Sequence, residues 1–83
     1  MKYDADALQR DAVEYRRAMV GSTYRHHKGN TYTVLAVVID EETGDPVVVY
    51  TDEDVRMWWS RRLSNFMGQI GGEPRFRLVR RAR

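Results

Sequence analysis

The stretch Thr31-Tyr32-Thr33-Val34-Leu35-Ala36-Val37-Val38-Ile39-Asp40 decides the fold. Tyr32, Val34, Leu35, Val37, Val38 and Ile39 are β-branched, aromatic or otherwise apolar, the side chains that suit a pleated surface. Apolar residues fall on both faces, so the segment reads as a central strand covered on two sides. Working outward, Glu41-Glu42-Thr43-Gly44-Asp45 is a hairpin turn from which Pro46 to Tyr50 returns as a partner strand. Asp52-Glu53-Asp54 turns the chain again before a fourth strand, Val55 to Trp59. Upstream, Ser22 to His27 is a short strand closed by the turn Lys28-Gly29-Asn30. Downstream, Leu63 to Phe66 forms a helical turn, Gly71-Gly72 breaks the chain, and Arg75 to Val79 is a fifth strand with Phe76 and Leu78 pointing the same way.

Before the strands the period changes. Leu8, Ala12, Tyr15 and Met19 recur at helical spacing, so Ala5 to Met19 reads as an amphipathic helix that must pack on something. Asp4 or Asp6 caps it, Arg16 and Arg17 suit its last turn, and Gly21 is a left-handed stop. The predicted fold is α+β, an N-terminal helix packed on a small five-stranded antiparallel SH3-like barrel or curved sheet. Residues 1–20 supply the helix; residues 21–83 supply the β domain and a basic C-terminal tail.

Eighty-three residues make one core. The chain has no cysteine, so it has neither disulfides nor thiolate metal ligands, which suits a reducing cytoplasm. Its first residues carry acids and no apolar run, unlike a signal peptide, and no segment approaches the roughly 20 apolar residues of a membrane span. A soluble cytoplasmic protein is expected. The net charge is only +2, yet it is polarised: seven acids and no base lie between Asp40 and Asp54, and seven arginines face one acid after Ser60.

Two clusters carry the functional signal. Tyr24-Arg25-His26-His27-Lys28-Gly29-Asn30 and Trp59-Ser60-Arg61-Arg62-Leu63-Ser64-Asn65-Phe66 each set cations beside flat rings, a combination that binds planar anions. Adjacent strand residues point to opposite faces, so His26 and His27 are not expected to chelate one ion, and no metal or cofactor is implied. Ser22, Ser60 and Ser64 lack a nucleophile motif, the acidic tips read as solvated turns, and no enzyme is expected. Trp59 is assigned to a site and Trp58 to helix packing, while Tyr50, Phe66 and Phe76 are assigned to the core.

From Gly21 to Val79 the chain resembles a family of short bacterial and phage domains of unknown function. The resemblance rests on Tyr24-Arg25-His26, Lys28-Gly29, Val34-Leu35-Ala36-Val37, Glu42-Thr43, Val48-Val49-Tyr50, Trp59, Arg61, Leu63, Phe66 and Arg75-Phe76. His27 stands where the family favours tyrosine and Arg62 where it favours proline. The resemblance implies a small β-rich fold, assigns no activity, and extends to a phage or mobile-element origin.

The functional expectation is a non-enzymatic binding module for an anionic, nucleotide-like ligand. Tyr24, Arg25, His26, Lys28, Trp59 and Arg61 would form its pocket, with Arg25 and Arg61 on phosphate or carboxylate and Trp59 or Tyr24 stacking. A protein-interaction module docking a partner or a second copy through the same aromatic and arginine face is the alternative. A third reading is a single-stranded nucleic-acid binder that uses Arg77, Arg80, Arg81 and Arg83 as a tail.

Overall fold

The long strand is where the sequence places it, and it anchors the sheet. The computed structural model describes residues 5–54 and 56–82. Its elements run α1 (Ala5–Met19), β1 (Thr23–His26), β2 (Thr31–Ile39), β3 (Pro46–Asp52), β4 (Trp58–Arg62), α2 (Leu63–Phe66), β5 (Gln69–Ile70), β6 (Glu73–Pro74) and β7 (Phe76–Arg80). Five strands form one antiparallel sheet in the order β4-β3-β2-β1-β7, and β5 and β6 form a separate hairpin. The sheet does not close. The α+β class and the five-stranded antiparallel sheet stand, but β4 and β7 remain as free edges where a barrel would have joined them.

A bulge in β2 shapes the core. Val34 faces Tyr50 and Val37 faces Val48, with the register slipping by one residue between Val34 and Ala36. The extra residue lets Val34 and Val37 both point inward although they are three apart, which plain alternation forbids. They join Met19, Tyr24, Val48, Tyr50, Leu63, Phe66 and Phe76 in a single cluster. Phe66 lies flat on Phe76 at 4.0 Å, and Tyr24 meets Phe66 edge-on at 5.1 Å, the two ring geometries that favour packing.

β1 pairs with β2 only as far as Thr33, supplemented by bonds between Val34 and residues 21–22. That leaves one edge of β2 open over its second half. α1 contacts this strand, burying Ala12 and Met19, and Arg16 Nε donates to the Val37 carbonyl at 3.0 Å. The helix therefore protects a strand edge. The Leu8 side chain and Asp4 lie outside the described residues, and Asp6 sits in the first helical turn.

Three expectations are corrected. The fourth strand begins at Trp58 because Asp52 holds the preceding turn, accepting from the Arg56 N–H at 2.9 Å (Val55 lies outside the described residues). The sheet is covered on one face, since Trp58, Ser60, Arg62 and Val38, which point away from the core, are exposed. Arg77 and Arg80 belong to strand β7 rather than to a tail; Arg83 lies outside the described residues. Among the described residues no helix is long and apolar enough to cross a membrane.

Candidate functional site

Alternation along β1 sends Tyr24 into the core and Arg25 to the opposite face. Tyr24 is 8% exposed, and its burial pushes the phenol above its usual range, so it cannot stack on a ligand. Arg61 pairs with core-facing Val48 and lies on the core side of the sheet. Its Nε donates to the Tyr50 hydroxyl at 3.3 Å, Nη1 donates to Asn65 Oδ1, and Cζ stands 5.6 Å from the centre of the Phe76 ring. Arg25 and Arg61 thus sit on opposite faces, and the six-residue pocket is not assembled. Trp59 shares the Arg61 face and donates its indole N–H to Asp52 Oδ2 at 3.1 Å. Trp58 is 73% exposed and does not pack on the helix.

Arg25 instead meets residues from the other end of the chain. The pairing of β1 with β7 places Arg77 directly across from it. The two arginines line a cleft of about 320 Å³ together with His26, His27, Gly29, Glu73 and Pro74. This is the lower end of the roughly 300–1,000 Å³ typical of small-ligand sites. Glu73 and Pro74 reach the cleft because the hairpin β5–β6 turns through Gly71 and Gly72, both at positive φ as a tight two-residue hairpin loop requires. Glu73 forms an ion pair with Arg77, while the Arg25 guanidinium has no ion-pair partner among the described residues.

His26 ends β1 with its ring 4.8 Å from Phe76 and 6.4 Å from Tyr32. Burial, then the nearby charges of His27, Arg61, Lys28 and Arg75, holds its pKa below the ordinary 6.5. The rings of His26 and His27 are 4.2 Å apart, contrary to the alternation argument, because His27 already lies in the turn where strand alternation has ended. No cluster of three His, Cys, Asp or Glu that could hold a metal occurs among the described residues. Lys28 is exposed in the same turn, its backbone N–H directed at His26 Nδ1 at 3.3 Å.

Of the expected residues, then, Arg25 and His26 share a cleft, Lys28 stands beside it, Trp59 and Arg61 face away, and Tyr24 is core. Arg77, expected in a tail, is a cleft residue. His27 joins them from the turn that follows β1, and Glu73 and Pro74, which the sequence does not mark for the site, arrive because the pairing of β1 with β7 brings the preceding hairpin alongside.

Residues 22–78 match the model of the family described as "Protein of unknown function (DUF1653)". The chain belongs to that family. A crystal structure of a DUF1653 protein from Bordetella bronchiseptica superimposes with a TM-score of 0.64 at 31% identity, covering 76% of this chain and 90% of that one. No curated protein matches. The DUF1653 match begins at Ser22, so α1 lies outside it, whereas every strand bordering the cleft lies within or overlaps it.

Proposed function

We propose that the protein is a non-enzymatic binding module for an anionic, nucleotide-like ligand, held in the cleft between the β1–β2 turn and the β5–β6 hairpin. One observation carries this reading: Arg25 and Arg77 occupy directly opposed positions on neighbouring strands. Like charges so placed repel and weaken a sheet, and a bound anion turns that cost into attraction. Glu73 holds Arg77 meanwhile, so an incoming phosphate competes with a carboxylate. His27 and Pro74 offer flat or apolar surface beside the charges, as a heterocyclic base would use.

Isothermal titration with AMP tests the assignment. Each charge-assisted hydrogen bond is worth about 1.5–3 kcal/mol, so Arg25→Ala and Arg77→Ala should each weaken binding by roughly 10- to 150-fold. Glu73→Gln should tighten it by freeing Arg77, and Arg61→Ala should leave it unchanged provided the fold survives. Binding that vanishes with Arg61 and ignores Arg25 would return the site to the core side of the sheet.

A further inference from the structure

We infer that the open face of the sheet binds single-stranded nucleic acid, running from the Arg25–Arg77 pair to Trp58; the inference rests on the cleft being an anion site. The registers place Trp58, Thr51, Thr33, Thr23 and Arg80 in one line across all five strands, each opposite the next. Thr33, Thr51 and Trp58 point away from the core, because Val34 and Tyr50 beside them and across the ladder point into it. Thr23 is 5% exposed and lies beneath Arg80, whose exposed guanidinium donates to its hydroxyl at 3.5 Å. Strands lie about 4.8 Å apart, so the line spans roughly 19 Å. Arg25 and Arg77, with Thr31, form the adjoining line.

The chemistry of this surface matches a nucleic-acid strand from end to end. Arg25, Arg77 and Arg80 supply phosphate contacts over β1 and β7, and the half-buried Thr33 and Thr51 supply hydroxyls between them and Trp58. Trp58 supplies a bare indole face at the far edge, and an exposed tryptophan beside cations is the platform on which unpaired bases stack. Of the carboxylates near this path, Glu73 already pairs with Arg77, Asp52 accepts from the Arg56 N–H and the Trp59 indole, and Glu53 and Asp54 are exposed in the turn before β4. Their positions put the phosphates over β1 and β7 and leave the β4 edge to a base. Of the apolar residues of the same face, Val38 and Val47 lie opposite each other nearer the β2–β3 turn, and the half-buried Val49 lies between them and Thr51.

Fluorescence anisotropy with a labelled oligothymidylate of about 10 nucleotides decides the matter, with dTMP titrated in parallel. The oligonucleotide should bind at least tenfold more tightly than dTMP, and duplex of the same length should bind less well. Arg80→Ala should lower the slope of log affinity against log salt by about 0.7, the single-strand value for one phosphate. Trp58→Ala should weaken the oligonucleotide about 5- to 150-fold and leave dTMP untouched, with Trp58→Phe restoring most of the loss. Equal affinity for dTMP and oligonucleotide, or indifference to Trp58→Ala, overturns the extended surface while the cleft survives. Failure of both probes overturns cleft and surface together. Sedimentation showing a dimer that Trp58→Ala dissolves assigns the face to a second copy and overturns the inference.

Discussion

Phe66 sits in a four-residue helix, yet it is among the most buried side chains described, at 1% exposure, and it contacts Tyr24, Tyr50 and Phe76. Removing it leaves a cavity under three rings at once. Phe66→Ala should cost about 3–5 kcal/mol, a large share of what a small domain has, and chemical denaturation would measure it. His26 acts on stability through its proton. Its folded pKa lies below the unfolded 6.5, so acid favours the unfolded chain, which binds the proton more readily. Stability is then complete above that value and declines as pH falls through 6.5 toward the lower folded pKa. Thermal melts from about pH 7.5 to about pH 5.5 should show the decline, and His26→Phe should flatten it while keeping the ring contact with Phe76.

At the scale of elements, the open half of the β2 edge explains why a helix precedes the sheet. A chain beginning at Gly21 would expose that edge and lose the burial of Ala12 and Met19. It should be less stable and scatter more light at equal concentration. The link between helix and sheet is equally exacting: Gly21 has φ +84°, and a Cβ there would come within 3.0 Å of the Ala82 Cβ. Gly21→Ala should therefore cost about 1–2 kcal/mol and lower the melting temperature. Helix α1, the β2–β3 hairpin and α2 are legible in the sequence because periodicity, turn residues and length agree there. The start of β4 is not, because a side chain, Asp52, controls the turn before it. The β5–β6 hairpin is too short to show a period, and only its Gly71-Gly72 turn is visible.

For the whole molecule, what a sequence shows least well is which distant strands become neighbours. The motif around Tyr24 and Arg25 stands out at once, but composition points to Trp59 and Arg61 as its partners. The register chose Arg77 instead, from a stretch that reads as a basic tail. Alternation alone separates Tyr24 from Arg25, so half of the correction was within reach of the residues; the other half required knowing that β1 lies beside β7.

That pairing also sets a clock. Ribosomes add about 5–20 residues per second, so roughly 3–10 seconds separate the synthesis of His26 from that of its partner Phe76. Throughout that interval the nascent chain carries β1 with one side unsatisfied, a template on which a neighbouring polysome could misassemble. Translation stopped before Arg77 would yield a polypeptide with its helix and main hairpin intact but without the arginine pair. Competence to bind would arrive only with Arg77.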